Sequence, residues 1–91
     1  METIRSLRSK AKTMGPTAQI GKNGLTPHII HHLKTMLKAR KLIKIKVLPS
    51  AEPGDRKTYG ERLAGALGAR LVDVIGHMIV LQDIPGKGPD I

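Results

Sequence analysis

Gly21-Lys22-Asn23-Gly24-Leu25-Thr26-Pro27 sets a basic tip between two glycines and runs directly into a helix start signal. Thr26 is a favoured N-cap, and Pro27 suits the first helical position, whose backbone N–H would have no intrahelical acceptor anyway. Thr17-Ala18-Gln19-Ile20 just before reads as a short strand, so the glycines occupy a strand-to-helix turn. Free N–H groups in such a turn and the positive end of the helix dipole both favour an anion, and Lys22 adds a full charge. Glycine has no Cβ to hold a polyanion's backbone away. The stretch therefore reads as a nucleic-acid phosphate clamp. Taken alone, a GxxG spacing is a weak signal, because two glycines three apart often serve only the turn.

Downstream, a helix is expected from Pro27 to about Arg40, burying Ile29, Ile30, Leu33, Met36 and Leu37. At 100° per residue, His31, Lys34, Lys38 and Lys41 fall on its far side as a basic stripe. Leu42 to Leu48 then alternates Ile43, Ile45 and Val47 with Lys44 and Lys46, the period of a strand with one face on the core. Lys44 and Lys46 either touch the nucleic acid or form the wet side of that strand. Pro49 to Asp55 is a loop, and Arg56 to Leu67 a third helix burying Tyr59, Leu63, Ala66 and Leu67. Gly60 and Gly65 weaken that helix by about 1 kcal/mol each unless they permit close packing on the sheet. Gly68 stops it. Leu71 to Ile75 and Met78 to Gln82 form a hairpin through Gly76-His77.

Upstream, Thr3 to about Lys12 places Ile4, Leu7, Ala11 and Met14 on one helical face and Arg5, Arg8 and Lys12 in a stripe beside it. Met14-Gly15-Pro16 ends this helix, since the residue before a proline is pushed out of helical geometry. The order is α-β-α-β-α-β-β: a single compact α/β (α+β) domain with a four-stranded mixed sheet. Residues 1–83 are expected to form it, with 84–91 a flexible glycine- and proline-rich tail.

With 91 residues there is room for one modest core. The net charge of +9 is unevenly placed: residues 1–50 hold 11 Lys and Arg against Glu2, whereas 51–91 hold 5 against 6 carboxylates. No acidic residue lies between Glu2 and Glu52. Unrelieved repulsion in one half makes sense if a polyanionic ligand supplies the missing charge. An anionic membrane surface fits less well, because the helices lack Trp and Phe anchors and no apolar run spans a bilayer. One Tyr, no Phe and no Trp leave no means of building a base-stacking sheet, so recognition should run through phosphates and shape.

Catalytic constellations are missing from the sequence. There is no Cys, Gly24 is not followed by the Lys-Ser/Thr of a phosphate-binding loop, and the seven carboxylates are scattered. His28 and His32 stand four apart in the second helix but lack the Glu of a His-Glu-x-x-His motif, so His28, His31 and His32 read as surface imidazoles beside the phosphate site. No enzyme activity, cofactor, metal or small-molecule substrate is expected.

Gly21-Lys22-Asn23-Gly24-Leu25-Thr26, with Pro16 and Ile20 before it and Leu42-Ile43-Lys44-Ile45-Lys46-Val47 a helix's length after, resembles the CRM domain, an RNA-binding family typified by bacterial YhbY. The likeness continues through Gly68-Ala69 and Val74-Ile75-Gly76 and covers nearly the whole chain. It implies a fold similar to the C-terminal domain of translation initiation factor three. It also implies an RNA partner, ribosomal RNA of the precursor large subunit, and a cytoplasmic role in that subunit's maturation; relatives in plant organelles, usually larger chains, act in intron splicing. The Arg- and Ser-containing start also resembles an organelle transit peptide, but the family has its own first helix there. Lys41 stands where the family commonly has Glu, and Leu81-Gln82-Asp83 replaces a usual Tyr-Arg, which leaves no basis in the family pattern for an RNA contact at the end of the last strand. The site expected is Gly21, Lys22, Asn23 and Gly24 with Arg5, Arg8, Lys12, His31, Lys34, Lys38 and Lys41. The competing readings are an interaction module that docks on an acidic protein, or an intron-splicing cofactor. The oligomeric state is open.

Overall fold

The computed structural model describes residues 3–49 and 55–84; most of the expected loop (50–54) and the expected tail (85–91) lie outside the described residues. The elements follow the expected order: α1 (Ile4–Thr13), β1 (Ala18–Ile20), α2 (Pro27–Arg40), β2 (Leu42–Val47), α3 (Arg56–Leu67), β3 (Ala69–Ile75) and β4 (Met78–Asp83). They build one four-stranded sheet in the order β1-β2-β4-β3, with β1 parallel to β2 and the other pairs antiparallel. Each helix starts on a side-chain cap: Thr3 Oγ1 accepts from Ser6 N, Thr26 Oγ1 from Ile29 N, and Asp55 Oδ2 from Thr58 N.

Ile43, Ile45 and Val47 of β2, with Ile79 and Leu81 of β4, face α2 and α3 and are fully buried against Leu33, Leu37 and Leu63. Burying each such side chain contributes about 1.5–3 kcal/mol. Gly60 of α3 belongs to this packing, because a Cβ there would stand 3.2 Å from Leu71 Cδ1. Ala66, expected inside, is exposed, and Ala64 is buried in its place.

The opposite face of the sheet is not wet, as the alternation of β2 allowed, but covered by α1. Leu7 and Ala11 pack there on Leu42, Val72 and Val80. Lys44 points into this layer and is buried, its ammonium donating to Ala11 O and Met14 O at 3.0 Å each. A bulge in β3 between Leu71 and Asp73 brings Val72 onto the same side. Lys46, one period further along β2, remains half-buried.

Candidate nucleic-acid interface

Gly24 N donates to Gly21 O at 3.0 Å, so Gly21 to Gly24 close as a four-residue turn with exposed Lys22 and Asn23 at its corners. Leu48 N donates to Ile20 O, which pins the start of the turn to the end of β2. Thr26 N donates to Gly24 O, and Thr26 then caps α2. Among the described residues, the amides of Lys22, Asn23 and Leu25 have no acceptor. The turn thus presents donors and a cation at the positive end of a 14-residue helix.

The two glycines stand on different grounds. Gly24 has φ of +66°, which L side chains rarely adopt, so the turn itself requires it. Gly21 has no such φ, and a Cβ there would meet only Leu48 Cδ1, at the ordinary distance of 3.9 Å. Among the described residues, nothing requires Gly21 to be a glycine.

His31, Lys34 and Lys38 are exposed along α2, on the helix that the turn begins. His28 and His32 are exposed as well, and no three His, Cys, Asp or Glu side chains converge among the described residues. Lys41 departs from the expectation that it continues the stripe. It is the left-handed C-cap of α2, with φ of 69°, its N–H bonded to Leu37 O, and its ammonium lies 3.7 Å from Asp83 Oδ2. Helical periodicity therefore stops one residue before it. A non-glycine residue in this conformation gives no signal in the sequence.

The stripe of α1 is not brought to the turn, because α1 and α2 cover opposite faces of the sheet. Arg5 and Lys12 are exposed there. Arg8 is partly committed: its Nε donates to Val72 O at 3.1 Å and lies 4.0 Å from Asp73 Oδ2. Arg8 thereby covers the bulge on the edge strand β3, where an open backbone would otherwise invite pairing. Sequence reasoning also missed Lys44, whose burial depends on a helix 30 residues away in the chain and leaves no local mark.

Residues 1–81 match the CRS1 / YhbY (CRM) domain. The chain belongs to that family. It is 40% identical over 77 residues to the protein named Probable RNA-binding protein YqeI of Bacillus subtilis (strain 168), across 85% of this chain and 79% of that one. It is also 40% identical over 78 residues to Probable RNA-binding protein MJ0652 of Methanocaldococcus jannaschii, across 85% of this chain but 58% of the longer archaeal protein. Among solved structures, the hypothetical protein SAV1595 of Staphylococcus aureus, described as a candidate RNA binding protein, superposes with a TM-score of 0.77 at 37% identity, covering 100% of this chain and 97% of that one. Among the described residues, no helix is long and apolar enough to cross a membrane.

Proposed function

We propose that this protein is a non-enzymatic RNA-binding factor that grips the backbone of a structured RNA between the Gly21–Gly24 turn and the exposed stripe of α2. The observation that carries the reading is Gly21 in a turn of free amides at the start of α2: among the described residues nothing requires its missing side chain, which leaves room for a phosphate beside Lys22. Family membership and the names of the relatives support RNA as the partner. With a single Tyr, the chain suits a folded, densely charged RNA rather than a short single strand. Ribosomal RNA in precursors of the large subunit, in the cytoplasm, is the target that the family resemblance favours. Arg5 and Lys12, on the far face, would meet a second segment of the RNA or none, and Arg8 mainly holds the edge strand.

Gly21→Ala gives the direct test. The variant should fold with nearly unchanged stability yet bind a structured RNA fragment clearly more weakly, and Lys22→Glu should do the same more strongly. The affinity of the wild type should fall with salt at a log-log slope of roughly 0.7–0.9 per phosphate contacted, and Lys34→Ala and Lys38→Ala should each flatten it by about one contact. Full affinity in a folded Gly21→Ala protein would reduce the turn to a structural element. In cells, the protein should sediment with large-subunit precursors, which should accumulate in its absence. Sedimentation with an acidic protein instead, with normal subunit profiles, would favour the interaction-module reading.

A further inference from the structure

At the end of the sheet remote from the glycine turn, α1 and the last residues of α2 converge around a groove of about 370 Å³. Its walls combine two chemistries. Leu7, Met14 and Leu42 supply an apolar surface, whereas Lys10, Arg40 and Lys41 supply cations and Gln82 an amide. We propose that this groove takes one unstacked nucleotide of the bound RNA, a second contact that rests on the RNA-binding reading above but uses none of its residues.

A phosphate alone would gain nothing from the apolar surface, and an apolar side chain nothing from the cations. A nucleotide matches both: the base has flat apolar faces that pack on Leu, Met or a guanidinium plane, a polar edge that an amide can read, and a phosphate for the ammonium groups. The volume falls within the usual 300–1,000 Å³ range of small-molecule sites. The position fits as well. The 14 residues of α2 set the groove about 20 Å from the turn, and His31, Lys34 and Lys38 line the path between them.

Both α1 and α2 terminate at this end, and helix C-termini repel anions. For α1 the effect is offset from within: the buried Lys44 ammonium sits on the terminal carbonyls of Ala11 and Met14. For α2 it is offset by Arg40, while Lys41 is paired to the carboxylate close by, Asp83. The groove therefore keeps a positive rim. Arg40 would stack on or bracket the base, and Gln82 would give a base preference that the turn, which meets only phosphates, has no means to supply.

The test is an amide-resolved ¹H–¹⁵N titration of the intact protein with each of the four nucleoside 5′-monophosphates, with ribose 5-phosphate and an oligo-glutamate peptide as controls. Nucleotides should shift the amides of Lys10, Lys41, Leu42 and Gln82 with millimolar affinity, and unequally among the four bases. Arg40→Ala and Gln82→Ala should each weaken this binding about fivefold or more in proteins with unchanged melting curves, as expected for losing a base contact. Lys22→Glu should leave it unchanged. Ribose 5-phosphate binding as tightly as the nucleotides would make the groove a bare phosphate site and overturn the proposal, as would equal shifts with the peptide or shifts confined to the turn. Failure here leaves the turn's affinity for RNA untouched. Groove shifts in a protein that binds no structured RNA would instead uphold the pocket and remove the function built around the turn.

Discussion

Beneath α2 and α3, the sheet meets a continuous apolar cluster that includes Ile20, Leu33, Leu37, Ile43, Ile45, Leu63, Ile79 and Leu81; beneath α1, it meets Leu7 and Ala11 across a smaller set of Leu42, Val72 and Val80. The second face adds to its smaller cluster a lysine and an arginine that tie helix to sheet. Lys44 reaches through the layer to two carbonyls at the end of α1, and Arg8 reaches from α1 to Val72 O and Asp73. Apolar burial is non-directional and tolerates some sliding, whereas hydrogen bonds of this kind fix one geometry. A single amphipathic helix with few apolar anchors thus acquires a definite position on the sheet, and with it a definite groove beside Lys10 and Met14.

Truncating one apolar anchor on each face should separate the two most widely. Leu63→Ala opens a cavity between two helices and the sheet and should destabilise by about 3–5 kcal/mol, while Leu7→Ala, under a lone helix free to settle, should sit near the lower end of the roughly 2–5 kcal/mol range for such truncations. For a domain of this size, the first figure is a large part of the whole stability. Urea denaturation of both variants is the measurement. Equal losses would mean that α1 is held as rigidly as the two-helix face and that its polar contacts are incidental.

The two faces also differ in how far the sequence reveals them. Thr26 and Pro27 announce α2 to the residue, and Ile43, Ile45 and Val47 announce the apolar face of β2, because caps and alternation are local signals. Lys44 has the same local pattern as a solvated lysine. Only α1, brought across the sheet from 30 residues earlier, buries it. Ala66 lies outside for a related reason: the close approach of α3 at Gly60 runs its buried stripe through Gly60, Leu63, Ala64 and Leu67. Within the site, the turn and the stripe of α2 are legible as far as Lys38, where regular helix geometry still holds. The separation of the two basic helices by the sheet is not, since charge along a chain carries no information about which face a helix will cover. The groove lies further out of reach, assembled from α1, the end of α2 and the end of β4.

The next effect in size sharpens the role of Lys44. Lys44→Met keeps the stem and its packing but removes both hydrogen bonds, leaving Met14 O without its donor and Ala11 O with only the longer bond from Met14 N, in a largely buried layer. The expected cost is about 1–3 kcal/mol, concentrated at α1. Amide exchange should report it as faster opening of α1 with little change in α2 and α3. An apolar replacement of a buried charge can also be neutral. Unchanged stability together with unchanged exchange in α1 would show that Leu7, Ala11 and Arg8 position that helix without the bonds of Lys44.

The smallest effect lies on the apolar face, at the cap of α3. The Asp55 carboxylate accepts first from the Thr58 hydroxyl, at 2.8 Å, and then from the Thr58 amide, at 3.1 Å; these bonds hold its pKa below the ordinary carboxylate value, with Lys57 adding to them. A group whose pKa is lowered by folding contributes fully above its unfolded value, and the contribution is lost as pH falls through the lower folded value. The acid limb of the stability curve should therefore contain a small contribution from Asp55, beginning to fade below about pH 4. Asp55→Asn keeps an oxygen for the Thr58 amide but does not titrate. Thermal melts of the two proteins from pH 6 downward should converge in acid, with the wild type losing its small advantage. Curves that stay parallel would mean that the charge of the cap contributes nothing and that α3 is fixed by its other contacts, above all Tyr59, Leu63 and Leu67.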